Sequence, residues 1–465
     1  MDNFETKATE SDHQSIEKNE IFYGLEEKPP FISSIFAALQ HLLAIFVPII
    51  TPTLIIASAL KLDLATSSYL VSMSLLVSGV ATWIQVRKFG PVGSGLLSIQ
   101  GTSFTFLDTC VSIGAEKGLA GIFGTAIAGS PIEMVISRFI PYTRKIITPL
   151  VSGIVVTMIG MSLIKVGIID CAGGFAAKKN GTFGEYKYLA ISGLVFCIIV
   201  LCNRCKNPFL RMSSIVIGMG SGYIITIFLG WVNFQGLKNL EIVSVPVPFR
   251  YGISFSLSGF LAMILLYIIT TIESIGDITA TCMVSKQSIE GDLYLKRVSG
   301  GVLGDGFNSL LAGVFNTFPN TTFSQNNGVI QLTGVASRHV GHYIAGFLVL
   351  LGLFPFIGGL FSLMPEPVLG GATIIMFGTI AAAGIKIIAT NVINRRSLLI
   401  IALSFSLGLG VTFEPGILSH FPPLVRSLFS SGITTGGLSA ILLNIFLPHD
   451  LADKKIDKIK EEIGI

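Results

Sequence analysis

Charge is what this chain has least of. Only 12% of its 465 residues are Asp, Glu, Lys or Arg, against roughly 25% in soluble domains. Too little polar surface is available for two or three water-facing domains of this total length. Basic residues are nowhere interleaved with aromatics, so nucleic-acid binding has nothing to rest on. Cysteine is also scarce: Cys110, Cys171, Cys197, Cys202, Cys205 and Cys282. Cys202 and Cys205 form one C-x-x-C, which without a second pair is a weak case for zinc and reads as free thiols at a helix end. No disulfide framework, metal site or cofactor is expected. Neither H-E-x-x-H, G-x-S-x-G nor a nucleotide loop occurs, which argues against a membrane enzyme.

What is present in excess is apolar residues, 51% of the chain, and glycine, 51 residues. Mean hydropathy is +0.75. Together these predict an all-α polytopic membrane protein, its glycines letting helices approach closely in lipid. Uncharged runs long enough to cross a bilayer lie at 29–60, 64–86, 146–164, 212–237, 251–272, 339–365 and 427–449. Shorter or polar-interrupted stretches lie near 89–107, 118–137, 188–203, 298–318, 319–337, 367–390 and 397–413, making fourteen candidate spans. The polar, mostly acidic stretch 1–28 and the charged stretch 450–465 read as solvated tails. No basic segment followed by a short apolar one opens the chain, so no cleavable signal peptide is expected. Lysine and arginine concentrate in alternate loops, for example Arg87 and Lys88, Arg204, Lys206 and Arg211, and Lys386, Arg395 and Arg396. The positive-inside rule then places both termini in the cytoplasm.

The two halves resemble one another at a fixed offset. Pro149, Gly153 and Gly160 recur 218 residues later as Pro367, Gly371 and Gly378, and Ile227-Phe228-Leu229 recurs as Ile445-Phe446-Leu447. Thr102-Ser103-Phe104 is echoed by Thr321-Thr322-Phe323 at an offset of 219. With seven spans per half, over 29–237 and 251–449, the second copy must run upside down relative to the first. Inverted repeats are the build of many secondary transporters, whose sites lie at paired, broken, Gly/Pro-interrupted segments. Gly93 to Phe106 and Pro319 to Gly328 are such a pair. Half-helix N-termini there would offer free N–H donors.

Certain polar residues stand where lipid tolerates them poorly. Glu273 ends an uncharged run and Asp277 follows at i+4, on the same helix face. Carboxylates at membrane depth cost roughly 2.5–3.5 kcal/mol each on insertion scales and call for a partner or a wet cavity. A carboxyl group so placed can bind and release a proton. Gln325 and Asn326 follow the Pro319 break, and an amide's acceptor and two donors suit a flat heterocycle with adjacent C=O and N–H groups. Asn327-Gly328 reads as turn chemistry. Asp305, between two glycines, reads as structural or gating. His41 reads as a core histidine bonded to another helix. Phe104, beside Ser103 in the broken segment, offers a π-face for stacking.

The run Ser324-Gln325-Asn326-Asn327-Gly328-Val329-Ile330-Gln331-Leu332-Thr333-Gly334 resembles the signature of the nucleobase–ascorbate transporter family, also called nucleobase–cation symporter-2. Glu273 to Thr281, Gln40 to Ala44 and Gly93 to Gln100 resemble its bacterial xanthine permeases, and the likeness covers about 22–449. The resemblance implies fourteen helices in two inverted seven-helix repeats. Spans one to four and eight to eleven would form a core domain, and the rest a gate domain. Spans three and ten would each hold a short strand next to a half-helix. It also implies a homodimer, proton coupling and elevator-type movement of core against gate. Glu273 and Gln325 would hydrogen-bond a purine, with Phe104 stacking and Ser103 and Ser324 adjoining. Asp277, Asp305, Asn326 and His41 would serve coupling, cavity shape or affinity. Gln325 stands where uracil carriers have glutamate, Asp277 where they have histidine, and Gly334 where many urate-type members are basic. These choices favour xanthine over pyrimidines. Urate, other purines or uracil on the same scaffold, an anion exchanger and a channel are the competing expectations. A channel needs no carboxylate–amide clamp.

Overall fold

The computed structural model describes residues 21–448 apart from 144–147, 392, 423–424, 427–428 and 430. The tail over 450–465 and most of that over 1–28 therefore lie outside the described residues. So do Arg144 and Lys145, which belong to another of the basic loops on the expected cytoplasmic side. The first half runs α1 (Phe31–Ala59), α2 (Leu64–Arg87), β1 (Gln100–Thr102), a 3-10 turn (Phe104–Phe106), α3 (Leu107–Thr143), α4 (Pro149–Cys171), α5 (Gly174–Asn180), α6 (Tyr186–Arg204), α7 (Pro208–Met212) and α8 (Ser214–Phe228). The second runs α9 (Leu257–Val284), α10 (Gly291–Val314), β2 (Asn320–Thr322), α11 (Gln325–Thr333), α12 (Arg338–Gly352), α13 (Pro355–Ser362), α14 (Glu366–Ala389), α15 (Arg395–Phe413) and α16 (Gly432–Phe446).

Eight of these helices are long and apolar enough to cross a membrane, and α12 with α13, bent by 77°, makes a ninth span. α3 is two spans in one: Gly118 at φ 66° and ψ −168° breaks its ladder, a conformation that suits a residue without a Cβ. The other spans are short or polar: α8, α10, α16 and the segment of β2 with α11, the corresponding segment at β1 being the first of the two spans in α3. Fourteen spans result. Cys202 and Cys205 fall at the last turn of α6 and its C-cap, and all six cysteines are free thiols.

The repeats are inverted, and the packing shows it directly. A Cβ on Gly153 would meet the Ile388 nitrogen at 2.8 Å, one on Gly160 the Ala381 nitrogen at 2.3 Å, and one on Gly370 the Cys171 nitrogen at 2.3 Å. As α4 ascends in number α14 descends, so these repeat-related helices lie antiparallel, backbone against backbone. The two strands do the same, pairing Gln100 with Thr322, Gly101 with Thr321 and Thr102 with Asn320. Small residues make both contacts possible. Large apolar side chains on the outer faces of α6, α8, α15 and α16, such as Leu201, Phe228, Leu407 and Ile445, are exposed, as lipid-facing helices require.

Two boundaries differ from the sequence reading in ways that matter. The span expected over 251–272 continues to Val284, so Glu273 and Asp277 lie inside a helix and not at its end. Apolar Ile278 and Cys282 keep one face of α9 buried beyond the acids. Residues 21–28, expected within a polar tail, are held against the start of α12. Ala336 N–H donates to the Tyr23 carbonyl at 2.9 Å, Arg338 N–H to Leu25 at 3.0 Å, and the Arg338 guanidinium pairs with Glu26 at 2.7 Å. Leu25, buried at 4% exposure, supplies the reason.

Candidate functional site

The antiparallel strands bring two half-helix starts to one place. Phe104 stands two residues after β1, and Ser324 and Gln325 two and three residues after β2. Against them α9 presents Glu273 and Asp277 from one face. All five line a narrow cleft. Its far wall is apolar: Val156 and Ile159 from α4, and Ile380 from α14. A polar floor thus faces an apolar lid, an arrangement suited to a flat molecule with a hydrogen-bonding edge.

Local structure sets each group. Thr105 Oγ1 donates to Glu273 Oε2 at 3.2 Å. Phe104 meets Phe377 of α14 edge-to-face at 5.3 Å, which orients its ring. Ser324 begins α11 without a side-chain cap bond, so its hydroxyl is not committed to the helix end.

Four residues singled out in the sequence lie outside the cleft lining. Ser103, expected beside the bound ring, instead holds the turn that carries Phe104: its Oγ accepts from Thr105 N–H at 3.3 Å and its own N–H donates to Pro319 at 2.8 Å. Asp305 is fully buried behind the strands. Gln85 Nε2 donates to its Oδ1 at 2.8 Å, Thr322 Oγ1 to both oxygens at 3.2 and 3.1 Å, and Ser274 Oγ to its Oδ2. It ties α2, α9, α10 and β2 together. Asn326 Nδ2 donates to the Leu97 carbonyl at 2.5 Å, bracing α11 against the segment before β1. His41, also fully buried, lies beside Asn326 of α11. Asn327 is no turn residue. It sits within α11 and accepts from Thr281 Oγ1 at 2.7 Å, because the helix begins at Gln325 and carries it toward α9.

Sequence reasoning overlooked Thr105, Gln85 and Glu133. Gln85 lies at the end of an apolar run and Glu133 inside the expected span 118–137; an amide or acid at membrane depth is itself a signal. Thr105 carried none, since its role depends on where α9 packs.

A model of the permease family matches residues 32–417, most of the chain. This chain belongs to the nucleobase–ascorbate transporter family of permeases. It is 50% identical over 444 residues to the xanthine permease XanP of Escherichia coli (strain K12), covering 93% of this chain and 96% of that one. To the xanthine permease XanQ of the same organism it is 49% identical over 439 residues, 92% and 94% of the two chains. The uric acid permease PucJ of Bacillus subtilis (strain 168) is 35% identical over 422 residues, 90% and 93% of the two chains. Among solved structures, the transmembrane domain of the cyanobacterium bicarbonate transporter BicA matches with a TM-score of 0.51 at 15% identity, covering 89% and 96%. The inward-facing murine anion transporter Slc26a9 gives 0.54 at 13%, covering 90% and 69%. These share the fold. The permease is a multi-pass membrane transporter and not an enzyme.

Proposed function

We propose that the permease imports xanthine in symport with protons, its core carrying the substrate past the gate as an elevator. The observation that carries this reading is the single cleft that Glu273, Asp277, Gln325 and Phe104 line together. An oxopurine presents adjacent C=O and N–H groups. The Gln325 amide can donate to one and accept from the next, the Glu273 carboxylate can accept an N–H, and the Phe104 face can stack on the ring. The names of XanP and XanQ, at half identity over nearly the whole chain, favour xanthine within this chemistry.

Elevator movement is supported by the division of the walls. The polar floor belongs to α9, β2 and α11, and the apolar lid to α4 and α14. A smooth apolar surface lets the floor slide without breaking hydrogen bonds. In this reading both termini are cytoplasmic and the permease works as a homodimer. Radiolabelled xanthine uptake in a purine-transport-deficient bacterium tests the reading, with and without a protonophore and against unlabelled bases. Protonophore-sensitive uptake displaced best by xanthine is expected. A panel led by urate would favour the chemistry named for PucJ, and failure of every purine to compete would remove the reading.

A further inference from the structure

One buried acid has no part in the substrate contacts just described. Glu133 projects from α3 into the packing between α3, α9 and α10, with none of its surface exposed. Neither carboxyl oxygen accepts a hydrogen bond from any described residue. The helices leave it little freedom: beside it a Cβ on Gly306 of α10 would meet the Met134 nitrogen at 3.0 Å and the Ser130 carbonyl at 3.1 Å.

The groups that face Glu133 are Asp305 from α10 and Glu273, Thr270, Thr271 and Tyr267 from α9. None is a cation. The hydroxyls are already spent as donors: Thr270 Oγ1 donates to Leu266 at 3.1 Å, Thr271 Oγ1 to Tyr267 at 2.8 Å, and the Tyr267 hydroxyl to Ala126 at 3.0 Å. What remains to them is lone pairs, and a group set among lone pairs must bring its own hydrogen. A bare carboxylate beside two more acids, without a cation, is the arrangement a buried charge tolerates least.

We propose that Glu133 is a proton-binding site of the transport cycle, storing a proton behind the cleft for transfer to Glu273. In each turnover Glu273 loses one proton to the inner solvent. The Glu133 O–H then breaks and its proton passes to the Glu273 carboxylate, and Glu133 is reprotonated from the outer side. One proton crosses and the protein is returned unchanged. The proposal rests on proton coupling, which is read separately on the wild-type protein.

The test uses the full chain in proteoliposomes. Glu133→Gln keeps the shape and can donate to the threonine lone pairs, but it cannot release a proton. Xanthine counterflow without a gradient should stay within about twofold of wild type, while accumulation driven by an imposed pH gradient falls at least about tenfold. Wild-type accumulation by the variant overturns the proposal. So does loss of counterflow together with accumulation at normal membrane levels, since that marks a scaffold residue. Should Glu133→Gln fail to reach the membrane, Glu133→Asp retains an acid one methylene back. Its pH profile of accumulation should shift, and an unchanged profile overturns the proposal. A wild-type protein indifferent to the imposed pH gradient removes the coupling reading itself.

Discussion

In the proposed reading Glu273 and Gln325 make opposite demands on a bound base, and their exchange for one another's chemistry separates them. Glu273 accepts one hydrogen bond, from Thr105, and has an oxygen left to face the cleft. Glu273→Gln keeps the volume, removes the charge and leaves no proton to bind. A hydrogen bond to a charged group contributes about 1.5–3 kcal/mol, so xanthine affinity should fall about 10- to 150-fold. Accumulation should vanish with the protein still in the membrane; immunoblotted membranes and labelled uptake check this, and uptake like wild type takes Glu273 out of the site. Gln325→Glu removes donors instead. Leaving one buried polar group unpaired costs about 1–3 kcal/mol, about five- to 150-fold in affinity. Xanthine should weaken and the ranking of competing purines should change at near-normal expression. An unaltered ranking would assign Gln325 to the scaffold. Both residues were legible as polar intrusions into apolar sequence. The part played by Asp305 was less so, because its four-way bonding depends on residues up to 220 positions away.

Among the elements, the α4–α14 contact offers a sharp test because repeat-related glycines meet different surroundings. Gly160 lies against the Ala381 nitrogen and the Phe377 carbonyl, 2.3 and 2.6 Å from where a Cβ would stand, while its counterpart Gly378 has nothing within 4 Å. Backbone cannot retreat as a flexible side chain can, and overpacking costs typically about 1–3 kcal/mol. Gly160→Val should therefore lower membrane levels and the melting temperature in detergent, and Gly378→Val should leave both near wild type. Equal effects of the two would mean that the helices do not pack face to face. The offset of 218 residues related these positions, but it assigned them no neighbours. Symmetry in sequence relates positions to each other; it does not say which member of a pair faces inward.

For the whole molecule, the decisive property is what drives it. The acids of the cleft region, Glu273, Asp277 and Asp305, lie among hydroxyls and amides, and no described ion pair involves any of them. Protonation can neutralise such groups without a metal ion. Uptake should follow the proton gradient and ignore sodium. A sodium requirement with indifference to protonophore would overturn the coupling but leave the carrier intact. Counterflow adds the second check, since a carrier exchanges unlabelled for labelled substrate and an open pore does not.

Membrane residence, the number of spans, the inverted repeat and the chemistry-bearing segments followed from the sequence alone. Each is a one-dimensional property: a run of apolar residues as long as the bilayer is thick, a repeat at constant offset, an acid where hydration is lost. Only the tertiary structure decided which polar residues share the cleft. It set Asp305, Asn326, His41 and Ser103 behind it and placed Glu133 beside Glu273 and Asp305. Those outcomes depend on how helices distant in the chain rotate and pack against each other. A side chain's face is fixed by close backbone contact, as at Gly306 against Met134, and such contact leaves no periodic trace in the sequence of either helix.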